Sequence, residues 1–560
     1  MALVRTAVIA QSGRASSARP PTERQTAFGA VIGIDNSATS KTYAWKGVPF
    51  AKPPVGDFRW KPPVDPAPWT SPRPTQQFGN ACAQLGRLYG PGSNNKYDET
   101  IGTTLGKTVG NEDCLYLNIW RPATAAAKLP VIVFVHGGSN ITGYTADPIY
   151  DGAHLAATAD AVVVTVNYRL ALLGFFNMAQ LKSGEPDNDS GNFAMLDIIK
   201  SLQFISRNIA QFGGDPGNVT LIGESAGAVN VYAVMTSPIV VAAKPALLHR
   251  VLPMSGGISL ANEVPPGSVA TLAPATAFRL QANTVLTTLA IGDKLAADST
   301  SAAAYIATQT PEQIAAYVRG KSADAILKSN TAGSGPIPDG HVVATDPIAE
   351  IKSGHYMKVP MLVGNTRDEA RLFPTLLPLA GGTGSGRAID DATAFSIIYK
   401  YDPNAAPHAA LEQWIPSQYL PATTPVTGFE ARSERLTQLF FLNSRDSVLA
   451  AAQAQQTNIW YYRFDWHEEP APFNVIYGAA HAFDLPFAFG NFGPSLYANI
   501  MNTTANQPGR LALSDAMMRS IGAFARTGDP NDASLGVTWP VWPATLVFDA
   551  TPTAKSISVH

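Results

Sequence analysis

The chain has 560 residues, with 40 basic and 42 acidic side chains and a formal net charge of −2. That balance excludes a basic design for nucleic acid or for an anionic membrane surface, and no apolar run reaches the roughly 18 residues of a membrane span. Two cysteines exclude a disulfide scaffold and a four-cysteine metal site, while charged residues make up 15% against about 25% in an average soluble chain.

From the N-terminus, Met1 to Ala10 form a short apolar stretch interrupted by Arg5, and Val8-Ile9-Ala10 suits a signal-peptidase site. The polar segment Gln11 to Gln25 reads as disordered, so residues 1–25 are expected to be a leader remnant or disordered tail. Residues 26–560 contain no linker-like stretch, charge run or internal repeat, and are expected to form a single domain. Apolar, β-branched runs recur at Leu129–Val135, Ala161–Val166, Asn218–Ile222, Val359–Val363 and Asn458–Phe464. Their continuity, without alternation, predicts strands of a mostly parallel sheet covered on both faces by helices. Between the second and third runs, Asn192–Phe212 has helical spacing and stops at Gly213-Gly214. The stretches of about 271–328 and 388–453 read as large helical insertions, and the segments of about 260–335 and 372–450 are expected to build the pocket walls.

The third run leads directly into Gly223-Glu224-Ser225-Ala226-Gly227 and then an Ala/Val-rich helix. G-x-S-x-G between strand and helix is the context of a nucleophilic serine on a strained turn; the plainer reading is a tight turn with serine as helix cap. A serine hydroxyl needs a base and an orienting acid, delivered in this arrangement in the chain order Ser, acid, His. Of the histidines after Val359, His408 lies among prolines, His467 in a polar turn, and His560 at the terminus. His481 lies in a loop downstream of the 458–464 strand, where the base is expected. The strand at 359–363 is followed by Asp368 and Glu369 side by side, and composition does not choose between them.

At this point the motifs resemble those of the type-B carboxylesterases, a family that includes cholinesterases and bacterial p-nitrobenzyl esterases. The resemblance rests on Gly223-Glu-Ser-Ala-Gly227, Glu112-Asp-Cys-Leu-Tyr-Leu-Asn118, Tyr43 to Gly56, Gly191-Asn192 with Leu196-Asp197, Asn208 to Pro216, and Phe524 to Asn531. It covers about residues 28–545 and implies an α/β-hydrolase fold with a Ser225, His481, Glu369 triad, although Ala370 stands where the family usually has glycine. It also implies an oxyanion hole from the backbone NH groups of Gly138, Ser139 and Ala226, with Ser139 in place of a third glycine, and Ser255 supporting the acid. His136 reads as a loop anchor. By the same resemblance Cys82 pairs with Cys114, closing a loop of about 33 residues worth roughly 3.5 to 4 kcal/mol in the chain-entropy model. Cholinesterases carry a tryptophan in that loop to bind quaternary ammonium; Ala83 to Asp113 contain none, which argues against a choline ester.

Gly102 to Thr108 is one residue short of a P-loop and lacks its strand, Gly381 to Gly386 lacks dinucleotide spacing, and no H-E-x-x-H occurs. The expected function is therefore hydrolysis of a small-molecule carboxylic ester through an acyl-enzyme, with no metal or organic cofactor, no nucleic acid and no membrane span. The alternatives are a catalytically silent cholinesterase-like binding protein, or an enzyme acting on a carbamate, lactone, amide or polyester. A disulfide would place the protein in an oxidising compartment, secreted or periplasmic; a cytoplasmic protein with free thiols is the other reading.

Overall fold

A computed structural model describes residues 21–407 and 409–560. The runs that lack alternation become central strands because their side chains serve two cores. In the strand Leu129–Val135, Val131, Val133 and Val135 pack into the cluster on one face and Ile132 and Phe134 into the cluster on the other. Burying both faces leaves no position for a polar residue, which is why the run reads as continuous.

Among the described residues the central sheet has eleven strands: β1 Ile34–Asn36, β2 Thr42–Pro49, β3 Tyr116–Pro122, β4 Leu129–Val135, β5 Val162–Val166, β6 Gly214–Glu224, β7 Arg250–Met254, β8 Met361–Thr366, β9 Ile459–Phe464, β10 Thr545–Ala550 and β11 Lys555–Val559. Their order is β11-β10-β9-β8-β7-β6-β4-β5-β3-β2-β1. Strands β4 to β10 run parallel, and antiparallel strands close both edges. On one face lie α2 (Phe193–Asn208) and α3 (Ala226–Met235). On the other, α1 (Ala153–Ala159) packs against α4 (Gln507–Thr527) so closely that a Cβ on Gly522 would stand 2.8 Å from Ala159.

The five expected strands and the helix lie close to their predicted spans. Gly213 ends that helical region at φ +83°, a left-handed stop that glycine adopts without strain. Six further strands were not expected: β1, β2, β3, β10 and β11 toward the two edges, and the central β7; each is short or has its apolar residues interrupted by polar residues, glycine or proline, and so gives no continuous run.

Two expectations need correction. Within the expected disordered tail, Glu23–Gln25 instead belong to the strand Glu23–Thr26, paired antiparallel with Gly29–Ile32; residues 1–20 lie outside the described residues. The 271–328 insertion is helical, but it packs as a separate apolar cluster against Trp60, Leu173 and Phe176. It contributes no residue to the large cavity described next.

Candidate active site

Strands β4, β6, β8 and β9 are parallel, so the loops after them emerge at the same edge of the sheet. Each of the three candidate side chains, and the candidate oxyanion loop, hangs from one of these loops. This is the crevice at the carboxyl ends of the strands where open α/β sheets bind ligands.

Ser225 follows β6 directly and adopts φ 58°, ψ −123°, an uncommon conformation for a residue with a Cβ. Its backbone NH is held by the carbonyl of Met254 on the neighbouring strand at 2.9 Å. The flanking glycines leave room for this turn. A Cβ on Gly223 would stand 2.3 Å from the carbonyl of Gly227, and one on Gly227 would stand 2.1 Å from that of Val135. The turn places the NH of Ala226 at the start of α3, where unpaired amides and the helix dipole favour negative charge.

Asp368 and Glu369 diverge. Asp368 turns to Arg367 and Arg371 at 2.7 and 3.3 Å and accepts the NH of Ala479. Glu369, completely buried, turns inward. Its Oε1 accepts from Asn365 Nδ2 and the NH of Thr366, each at 2.9 Å, and its Oε2 meets His481 Nδ1 at 2.5 Å. Burial raises the Glu369 carboxyl, but the charge and hydrogen bond of His481, with Asn365 and Ser255, outweigh it and hold it below the ordinary glutamate value. Ser255, at φ 52°, lies buried beside Glu369 and contributes to that pull, though its hydroxyl forms no hydrogen bond of good geometry. Ala370, at the position of the usual glycine, is buried and donates its NH to Thr437 Oγ1 at 3.1 Å.

His481 is buried, with the rings of Phe373 and Phe441 at 5.0 and 4.8 Å. Its second nitrogen, Nε2, stands 3.0 Å from Oε1 of Glu224, the residue before Ser225. Burial disfavours the imidazolium, but the carboxylates of Glu224 and Glu369 together raise the histidine well above its ordinary value. Sequence reasoning quoted Glu224 only as part of the motif; its partner lies 257 positions away, and only the fold joins them.

The loop after β4 carries Gly138, Ser139 and Asn140 at φ 94°, 55° and 57°. Ser139 thus occupies the left-handed region that glycine enters freely and serine enters at a cost. Gly138 and Ser139 line the same cavity as Ser225 and His481. Two ties fix this loop, and neither was legible beforehand. Asn230 on α3 donates Nδ2 to Asn140 Oδ1 at 2.8 Å, and the Tyr168 hydroxyl donates to the carbonyl of His136 at 2.7 Å. His136 itself is buried against Tyr168, with ring centroids 4.6 Å apart, and burial lowers it to about 4. It is a neutral packing residue of the loop. Asn140 and Asn230 sit 90 positions apart, so no local pattern marks them as a pair.

Cys82 and Cys114 are bonded. The segment they clamp supplies Arg87, Leu88, Tyr89 and Tyr97 to one wall of a cavity of about 620 Å³, and Leu372, Phe373 and Arg387 of the second insertion supply another. Of the remaining histidines, His467 is bound to the carbonyl of Asp465 away from the cavity, and His408 lies outside the described residues.

A model of the carboxylesterase family matches residues 20–551. The chain is 29% identical to a para-nitrobenzyl esterase of Bacillus subtilis (strain 168) over 536 residues, covering 95% of each chain. It is 31% identical to a fumonisin B1 esterase of Sphingopyxis macrogoltabida over 484 residues, covering 85% of this chain and 76% of that one. Among solved structures, a PNB esterase superposes with a TM-score of 0.71 at 27% identity, covering 96% of this chain and 97% of the other. A Geobacillus stearothermophilus carboxylesterase superposes with a TM-score of 0.68 at 26% identity over 96% and 97%. A family match over nearly the whole length, with superposition on solved carboxylesterases over 96% of the chain, makes this chain a member of the carboxylesterase family, a carboxylic ester hydrolase on the α/β-hydrolase fold.

Proposed function

We propose that the ester is cleaved by Ser225, with His481 as base, Glu369 as the acid that orients it, and the backbone NH groups of Gly138, Ser139 and Ala226 as the oxyanion hole. The observation that carries this reading is the buried Glu369–His481 contact, at 2.5 Å, in the cavity that Ser225 enters on its strained turn. His481 Nε2, once neutral, takes the Ser225 proton as Oγ attacks the ester carbonyl. The tetrahedral oxyanion is held by the three NH groups; losing one donor of this kind costs about 2.7 to 4 kcal/mol. Collapse breaks the bond to the alcohol oxygen, which receives the proton from His481, and leaves an acyl group on Ser225. Water repeats the sequence and releases the carboxylic acid, restoring Ser225.

Residues 26–560 are proposed to act as one domain, because the sheet that carries the site begins with β1 and ends with β11 at Val559. The Cys82–Cys114 bond favours maturation in an oxidising compartment, secreted or periplasmic; no helix of the described residues is long and apolar enough to cross a membrane. The names of the relatives, para-nitrobenzyl esterase and fumonisin B1 esterase, speak for different esters, so the family leaves the substrate open.

Turnover of p-nitrophenyl acetate tests the assignment. Ser225→Ala is expected to lose about 10⁴-fold or more in kcat, and equal rates would remove Ser225 from the mechanism. Glu369→Gln is expected to lose about 10³- to 10⁴-fold, by analogy with removing the orienting charge of a triad. Asp368→Asn should lose far less, and the reverse order would transfer the acid to Asp368.

A further inference from the structure

Five charged side chains besides His481 and Arg87 line the large cavity, and each is already engaged. Arg387 bonds Asp391 at 2.5 Å and the carbonyl of Ile389 at 2.8 Å. Asp390 accepts the NH of Thr393 at 2.8 Å at the start of a helix, and Asp147 accepts the NH of Ile149 at 3.0 Å. Glu224 faces His481. Arg87 is the exception: among the described residues no acid pairs with it, and its Nε is buried without a hydrogen-bond partner. Leaving a half-buried guanidinium unpaired costs free energy that a folded chain ordinarily recovers with a carboxylate or carbonyl. The disulfide-clamped segment nevertheless holds this cation in the wall of the site, where it and Ile141, just past the oxyanion loop, also line a small second cavity. From the same segment, the Tyr97 hydroxyl, also buried without a partner, adds a neutral donor to the lining.

We propose that Arg87 is the specificity residue of this site and receives a carboxylate carried by the substrate, so that the preferred esters bear a negative charge remote from the scissile carbonyl. This rests on the hydrolase reading above and deepens it. The guanidinium is a planar fork of donors that matches a carboxylate in two hydrogen bonds. A site built to pair a charged group discriminates against an analogue lacking it, because its half-buried partner is then left unpaired. The cavity, at about 620 Å³, has room for an acyl or alcohol part that reaches from Ser225 to such an anchor.

Two matched pairs of esters test the proposal, one for each side of the scissile bond. The first is p-nitrophenyl hemiglutarate against its methyl ester, followed by p-nitrophenol release with the uncatalysed rate subtracted. The second is 4-acetoxybenzoate against methyl 4-acetoxybenzoate. The wild type should favour the charged member of at least one pair in kcat/KM, and the preference should shrink as salt is raised, since screening weakens a partly exposed ion pair. Arg87→Gln should lower the charged-to-neutral ratio about tenfold, the factor that 1.4 kcal/mol represents, and Arg87→Lys should restore part of it. The proposal is overturned if the wild type favours the neutral member of both pairs, or if Arg87→Gln leaves the ratio unchanged. Failure of the wild type to cleave any of the four, or p-nitrophenyl acetate, would instead strike the hydrolase reading. If Arg87→Gln does not fold, the salt dependence of the wild-type ratio and the Arg87→Lys ratio decide the matter.

Discussion

His481 sits between two carboxylates, and the consequences are opposite. In the proposed mechanism Glu369 on Nδ1 aims the ring, while Glu224 Oε1 stands 3.0 Å from Nε2, the nitrogen that would accept the Ser225 proton, without a well-aligned hydrogen bond. Both stabilise the imidazolium, so the histidine is held protonated to a higher pH than an ordinary imidazole. A protonated base accepts nothing, so activity should rise with pH, with the acid limb of kcat/KM above the usual histidine range. Glu224→Gln removes one of the two charges and should move that limb to lower pH by about one unit or more. An unmoved pH profile would show that Glu224 does not set the base. Asp484, three residues beyond His481, belongs to the same buried group: burial first, then the Glu224 charge, push it up to about 7, and the Tyr462 hydroxyl donates to it at 2.8 Å.

Helix α2 and the loop after β5 meet through a buried ion pair. Arg169 reaches Asp197 with Nε at 2.8 Å and Nη2 at 2.7 Å, and Asp197 also accepts the NH of Arg169 at 3.0 Å. Asp197 is fully buried in the first turns of α2, so its loss strands a guanidinium in the core. Asp197→Ala should cost about 3 to 5 kcal/mol in urea unfolding, and a loss below about 1 kcal/mol would mean that the pair is replaced by water or neighbouring carbonyls. The spacing predicted α2 but not that Asp197 would face the core, and its partner 28 positions upstream was not legible. The second insertion shows the same limit. It reads as helix, and is helix over Phe429–Thr437 and Asn443–Gln453, but a π-helical turn at Gln438–Leu442 interrupts it. That turn carries Phe441, which packs on the His481 ring, and π-turns of this kind concentrate at functional sites.

Across the whole molecule, the Cys82–Cys114 bond joins stability to pocket shape. It closes a segment with a sequence separation of 32, and the chain-entropy account gives roughly 3.5 to 4 kcal/mol for a loop of that length. Because the clamped segment is also a cavity wall, Cys82→Ser with Cys114→Ser should lower the melting temperature and raise KM for bulky esters more than for p-nitrophenyl acetate. An unchanged Tm, scanned side by side with the wild type with and without reductant, would show that the bond neither forms in solution nor matters there. The near-zero net charge describes the surface as a whole and says little about the site, where one unpaired cation decides more than the sum of all charges.

Local physics was enough for part of this protein. A continuous apolar strand, a glycine-flanked serine and a helix that must follow it are constraints between near neighbours, so five of the seven parallel strands, though not β7 and β10, and the turn at Ser225 could be read directly from the residues. The same holds for His481 and the pair Asp368 and Glu369, each placed after a strand by chain order alone. The fold decided everything that depends on residues distant in the chain. Only packing turned Asp368 to its arginines and Glu369 to His481, set Glu224 against the same imidazole, tied Asn140 to Asn230, and kept the 271–328 helices out of the cavity. Side-chain direction in a buried site is set by which groups can satisfy one another's charges and hydrogen bonds, and those groups become neighbours only when the sheet is assembled.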